Sequence, residues 1–293
     1  MSLVQAVVLG LLQGLTEFFP VSSSAHLELA PWLVGWDLFD GDTELENTFD
    51  VAVHVGTLVG AAVYLRRDIA RYMGALWGAA RSGGLRGRHD ARDRPDVVVA
   101  LSLAVSAVPA ALVGVALEDR LLSLAEEPLL IAALLAGFGW LLWWSDASAT
   151  AGRQQSGFGI RDALTMGIAQ AAALLPGVSR SGVTMTAGRW LGFDRAAAAR
   201  LAFLMSLPLI AGAGVYRAAT LSAAPTGSQI AMLVVGGVTA AVSSWAGVAA
   251  MLWLLRRTGS GSGNERRSPF ALFAGYRTAV ALVVILVIVT GLR

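Results

Sequence analysis

The sequence predicts an all-α polytopic membrane protein, an inverted-topology repeat with six transmembrane helices and two re-entrant helix-loop-helix hairpins. Three observations lead there. Of the 293 residues, 56% are hydrophobic and 14% charged, and mean hydropathy is +0.64, whereas a soluble domain carries about 25% charge. Loops rich in Arg alternate with loops that are acidic or merely polar, so every Arg-rich loop falls on one side, the inner one. The stretch 13–26 has an echo at 170–184: a shift of 157 positions lays Gly10 on Gly167, Gln13 on Gln170, Val21 on Val178, Ser22 on Ser179 and Ser24 on Ser181. The chain therefore reads as one integral membrane domain, 1–293, with 1–144 as the first repeat and 145–293 as the second.

The elements follow in order. Residues 3–16 are apolar but short of the about 20 needed to span. Glu17 and Pro20 stop them, and 25–36 follows as a second short piece; together 3–36 is the first re-entrant candidate, tolerated only where protein or a wet cavity surrounds it. The apolar start lacks a basic n-region and is interrupted by Glu17 and Pro20, unlike a cleaved signal peptide. Residues 37–48 are an acidic outer loop, and Asn47 or Thr48 is placed to cap the first span, 49–65. Residues 66–96 form an Arg-rich inner loop, with 72–80 suited to the interface. Spans follow at 97–117 and 128–144, the latter opened by Pro128 at a first helical position, with a short acidic turn between them. After the polar inner loop 145–162, residues 163–193 repeat the short-break-short pattern around Pro176-Gly177. Asp194 caps a span over 196–216; others cover 230–255 and 269–292, and Arg277 reads as snorkelling to the inner interface.

Composition also excludes chemistry. The chain has no Cys, so disulfides, thiolate catalysis and Cys-ligated metals are out. A net charge of +2 gives no footing for nucleic acid.

The two breaks carry the polar residues. Ser22, Ser23 and Ser24 stand where the helix after Pro20 begins; Ser179, Arg180 and Ser181 stand where the helix after Pro176-Gly177 begins. Helix N-termini, with free N–H groups and the positive dipole end, favour anions. Gly177 allows close backbone approach, and Arg180 adds a planar fork suited to phosphate oxygens. If the tips meet, they form one phosphate or diphosphate site. His26 suits nucleophilic attack on phosphorus or general acid work; Glu17 suits holding a divalent cation or acting as base. Gln13 lies one turn before Glu17, and Asp50 and His54, one turn apart, are candidates to support the site residues from behind. The bland alternatives are that the serines only pack and bond to the preceding turn, and that Glu17 and Arg180 merely pair to lock the halves. Arg189, Arg195 and Arg200 read equally as interface snorkels or substrate contacts.

These residues carry a resemblance. Gln13-x-x-x-Glu17-Phe18-Phe19-Pro20-Val21-Ser22-Ser23-Ser24-Ala25-His26 and Pro176-Gly177-Val178-Ser179-Arg180-Ser181-Gly182-x-Thr184 resemble the two signature motifs of the undecaprenyl-diphosphate phosphatase family of the bacitracin-resistance type. The likeness extends to Thr48-Phe49-Asp50 and Phe273-Ala274-Gly275-Tyr276-Arg277, and covers essentially the whole chain. It implies a plasma-membrane hydrolase that removes the terminal phosphate of a polyprenyl diphosphate, recycling the lipid carrier, with its site facing outside and a divalent cation, Mg²⁺ or Ca²⁺, required. By motif match Glu17, Ser23, His26 and Arg180 take the family's catalytic positions; on the reading of the residues above, Glu17 is also the metal candidate, and Gln13, Ser22, Ser24, Gly177, Ser179, Ser181 and Thr184 lie around the substrate. Gln13 stands where the family's motif has its first acidic residue. Membrane lipids are partners and homodimerisation stays open. The rival reading is a polyprenyl-phosphate flippase using the same inverted-repeat site; an anion channel gives no reason for His26 beside the serines.

Overall fold

Only helices and closed barrels satisfy their own backbone in a bilayer, and this chain takes the helical route. The computed structural model describes residues 1–81, 94–125, 127–150, 152–220, 225–258 and 268–292. The helices are α1 (Leu3–Glu17), α2 (Ser23–Val34), α3 (Thr43–Tyr64), α4 (Arg66–Arg81), α5 (Arg94–Ser106), α6 (Val108–Ala116), α7 (Glu118–Ala125), α8 (Pro128–Ser148), α9 (Ile160–Ala172), α10 (Arg180–Trp190), α11 (Arg195–Thr220), α12 (Gly227–Arg257) and α13 (Phe270–Val289). Among the described residues, five stretches are long and apolar enough to cross a membrane: Pro95–Ala116, α8, α11, α12 and α13. The expected span at 49–65 qualifies only jointly with α4, from which it bends by 80°. This is a multi-pass membrane protein.

Several local expectations need correction. Helix α3 starts earlier than expected: Asp42 caps it, accepting from the Leu45 N–H at 3.0 Å, and this removes the need for a cap at Asn47 or Thr48. The first part of the basic inner loop is helix α4, and most of the acidic outer turn is helix α7. Residues 82–93, 221–224 and 259–267, which include most of the remaining expected Arg-rich loops, lie outside the described residues. Pro128 does sit in the first turn of α8, and Asp194 does cap α11, accepting from the Ala197 N–H at 2.6 Å. Arg189 and Arg195 both close on Asp146 at 2.8 Å, and Arg200 on Asp68 at 2.7 Å. All three arginines therefore have carboxylate partners.

The short helices are held by distant ones. Helix α1 packs on α12, whereas α9 packs on α5 and α6. Two glycines permit this: a methyl at Gly10 would lie 2.4 Å from the Gly236 carbonyl oxygen, and one at Gly167 2.5 Å from that of Ser106. Small residues let helix backbones approach in this way in membranes. Helix α10 is enclosed from Ser181 to Arg189, between α8, α9 and α11. The outward faces are apolar at helical spacing, as with Val234, Val238, Val242 and Trp245 on α12 and Leu282, Leu286 and Val289 on α13, a stripe suited to lipid.

Candidate active site

Both breaks use the same backbone device. Helix α1 ends at Glu17 and α2 begins at Ser23, with Ser22 at φ 70°; α9 ends at Ala172 and α10 begins at Arg180, with Ser179 at φ 74°. Positive φ is uncommon outside glycine and persists only where the surroundings hold it. Here each serine is the N-cap of its helix, and the tips are stitched together. The Gly177 N–H donates to Ser22 Oγ at 3.1 Å, and Ser181 Oγ donates to the Phe19 carbonyl at 3.0 Å. Gly177, at φ 94°, approaches α8 so closely that a methyl would sit 2.7 Å from the Ile131 carbonyl oxygen. The glycine thus serves contact with α8.

The joined tips bring the charges together. Ser23 Oγ donates to Glu17 Oε2 at 2.5 Å, and Gln13 Nε2 donates to the same oxygen at 3.0 Å. Arg180 Nη1 lies 3.5 Å from Glu17 Oε1, and His54 Nε2 3.6 Å from Oε2. Glu17, Ser23, Ser24, His54, Ala173, Ser179 and Arg180 line one cavity of about 40 Å³. Arg180 Nη1 and Gln13 Oε1 are buried without a hydrogen-bond partner, which is costly unless a further group completes them. A carboxylate, a hydroxyl bonded to it and a guanidinium fork between two helix N-termini can activate an oxygen nucleophile and hold a phosphoryl group.

The family described as Bacitracin resistance protein BacA matches residues 6–283. The chain belongs to the BacA family. A relative from Geobacter sulfurreducens, named Undecaprenyl-diphosphatase, is 44% identical over 260 residues, covering 88% of this chain and 91% of its own length. Proteins of the same name from Moorella thermoacetica and Pelobacter propionicus are 40% and 41% identical over 287 and 295 residues, covering 98% and 100% of this chain and 98% and 99% of theirs.

Not every residue singled out from the BacA motifs faces the cavity. Ser22, Ser181 and Gly177 join the tips. Thr184 donates to the Arg180 and Ser181 carbonyls of its own helix at 2.6 and 3.3 Å. Asp50 accepts from His54 Nδ1 through its backbone carbonyl at 2.7 Å, fixing that ring, and is among the residues of a different cavity with Glu28, Asp37 and Glu46. His26 turns away from Glu17: its Nδ1 meets the Ser22 carbonyl at 2.7 Å and its Nε2 meets the Tyr276 hydroxyl at 2.6 Å.

The residue that sequence reasoning missed is Arg277. It is no snorkel, being 0% exposed. Nε donates to Leu135 O at 2.7 Å, Nη1 to Pro20 O at 3.2 Å, and Nη2 to Gly177 O at 2.6 Å, Val178 O at 3.1 Å and Leu134 O at 3.3 Å. One guanidinium thus binds α8 and both breaks. Gly139 makes room for it, since a methyl there would lie 3.2 Å from its Cδ and Nε. The signal available in the sequence was an Arg eight residues inside an apolar run, which in a membrane points inward as readily as to the interface.

Proposed function

We propose that this chain hydrolyses undecaprenyl diphosphate to the monophosphate and inorganic phosphate, returning the lipid carrier to cell-envelope glycan synthesis. The observation that carries the reading is the bond from Ser23 to Glu17 beside Arg180, at the meeting point of two helix N-termini, in a BacA-family chain whose relatives are named Undecaprenyl-diphosphatase. The diphosphate enters between the tips, with the isoprenoid tail along the apolar outer face. Glu17 takes the Ser23 proton, Ser23 Oγ attacks the terminal phosphorus, and the bond to the bridging oxygen breaks. Polyprenyl phosphate is a good leaving group, so its departure needs no general acid. Arg180 and the N–H groups of the tips offset the charge on the phosphoryl oxygens. Water then cleaves the phosphoserine, giving its proton to His26, which lies one turn beyond Ser23 on α2 and takes the proton only once its Nε2 has left the Tyr276 hydroxyl. Ser23 takes back its proton from Glu17 as phosphate leaves.

The reading includes a divalent cation held jointly with substrate. Among the described residues no group of three or more His, Asp and Glu could hold a metal. A Mg²⁺-type ion uses one or two protein oxygens together with substrate phosphates. Glu17 and the unpartnered Gln13 Oε1 are the oxygens that would hold it. Its chemistry there would be to neutralise phosphoryl charge.

The reading includes an inverted repeat with re-entrant hairpins at 3–36 and 163–193 and a site reached from the outer face. Supporting it are the matched φ angles of Ser22 and Ser179, the reciprocal bonds between tips, and the crossed packing of α1 on α12 and α9 on α5 and α6. The test is phosphate release from undecaprenyl diphosphate by purified protein, with chelator, with Mg²⁺ or Ca²⁺ restored, and with Arg180→Ala. Cation-dependent release lost in the variant is expected. No release from folded protein overturns the hydrolase reading and turns the same site toward lipid translocation.

A further inference from the structure

The segment Phe273-Ala274-Gly275-Tyr276-Arg277 belongs to the motif resemblance, yet the proposed reaction gives Tyr276 no task. The structure places it on the reactive histidine. A carbonyl oxygen can only accept, so the His26 nitrogen facing the Ser22 carbonyl at 2.7 Å carries the ring proton. The lone pair is then on Nε2, and the Tyr276 hydroxyl donates to it at 2.6 Å. The two rings are nearly parallel, 5° apart in tilt with centroids 5.7 Å apart. They come from residues 250 positions apart, one on α2 and one on α13. Both nitrogens are therefore pinned, one by the first break and the other by the last helix, so the imidazole can neither flip nor exchange tautomers without breaking a bond. Tyr276 is itself 46% exposed, so its hydroxyl has room to swing aside.

We infer that Tyr276 is a positioning residue for His26: the Ser22 carbonyl sets the Nδ1–H tautomer, and the Tyr276 hydroxyl holds the ring's orientation and covers the Nε2 lone pair until the phosphorylated site displaces it. The inference rests on the reading of His26 as the proton acceptor in the second step. The next residue, Arg277, anchors the same turn of α13 to both breaks, so the hydroxyl is delivered from a fixed platform.

The test is Tyr276→Phe, which keeps the ring and removes only the hydroxyl. Protein labelled with ¹⁵N-histidine reports the state of each ring nitrogen, the His26 signals being assigned by their loss in His26→Ala. In the parent, Nε2 should resonate as a hydrogen-bonded acceptor and Nδ1 as a protonated nitrogen. In Tyr276→Phe the Nε2 signal should move to that of a free lone pair, kcat should fall up to about tenfold as the ring loses its fixed orientation, KM should stay at the parental value, and stability should fall by no more than the contribution of one exposed hydrogen bond. A merely structural tyrosine would lower stability and leave the split between kcat and KM unmoved. Parental kcat in Tyr276→Phe alongside an inactive His26→Ala overturns the inference alone. An unchanged Nε2 signal does the same. Full turnover by His26→Ala removes His26 from the proposed reaction and this inference with it.

Discussion

Replacing Arg277 with Met separates positioning from stability. Methionine fills much of the same volume and donates nothing. The carbonyls of Pro20, Gly177 and Val178 then lose the donors that Nη1 and Nη2 supply. At about 1–3 kcal/mol for each buried acceptor left unpaired, the loss is roughly 3–9 kcal/mol. Against it stands the removal of a wholly buried guanidinium that joins none of the ion pairs found among the described residues. Desolvating such a charge costs several kcal/mol. The second contribution offsets part of the first, so the net destabilisation should be about 0–5 kcal/mol, well below the sum of the lost bonds. Activity should fall much further. Arg277 is a single group holding both breaks, and a shift of about 1 Å between reacting groups can cost about 100-fold in rate. Thermal unfolding in detergent, followed by tryptophan fluorescence, and phosphate release from undecaprenyl diphosphate should be measured on one preparation. A variant whose kcat/KM stays within about threefold of the parent would refute the idea that Arg277 sets the tips for reaction. So would a fall in activity fully explained by the unfolded fraction.

Other expectations follow from the same geometry. Glu17→Gln keeps the shape around Ser23 but removes the proposed base, so kcat should fall about 10²–10⁴-fold, with no phosphoserine trapped by rapid acid quench. Gly10→Ala and Gly167→Ala put a methyl 2.4 and 2.5 Å from a carbonyl oxygen of a neighbouring helix, so each should lower stability by about 1–3 kcal/mol. Gly275→Ala, with nothing within 4 Å, should be neutral or gain up to about 1 kcal/mol, and calorimetry of the three variants makes the comparison. Asp146→Asn leaves Arg189 and Arg195 without their carboxylate. It should cost about 3–5 kcal/mol while the activity of the surviving folded protein, measured by active-site titration, stays at the parental value.

The parts of the site legible in sequence were those where polarity was anomalous. Glu17, Ser23 and Arg180 stood in apolar runs beside breaks, and the offset of 157 between copies pointed to two tips that meet, as the bond from Gly177 to Ser22 shows. Direction was not legible. Nothing in composition tells that His26 points to Tyr276 and not to Glu17, because that depends on where α13 lies across α2. Arg277 was read by its distance from a helix end, a rule that holds for a side chain facing lipid; this one faces five carbonyls. Thr184 drew attention as a hydroxyl near the motif, yet a threonine in a helix can satisfy itself on the preceding turn, and this one does. The start of α3 was misplaced because an acidic loop looks unstructured, although Asp42 and two acidic residues in the first turn suit a helix N-terminus.

The crossed packing of the short helices has a consequence for how the protein is made. Gly10 on α1 receives a hydrogen bond from Ser243 on α12, 233 positions later. At about 5–20 residues per second, the helix that ends in Glu17 waits on the order of ten seconds or more after its own synthesis before the surface it packs against exists. In that interval its short length and terminal carboxylate leave it poorly anchored in a bilayer. Helix α9 has no such wait, because α5 and α6 precede it. Helix α9 can therefore be seated before α1, but the tip that follows α9 is tied to Ser22 and to Arg277 on α13, so neither break is complete until α13 has emerged. A nascent chain released before α12 emerges would carry every residue of both motifs and have no assembled site.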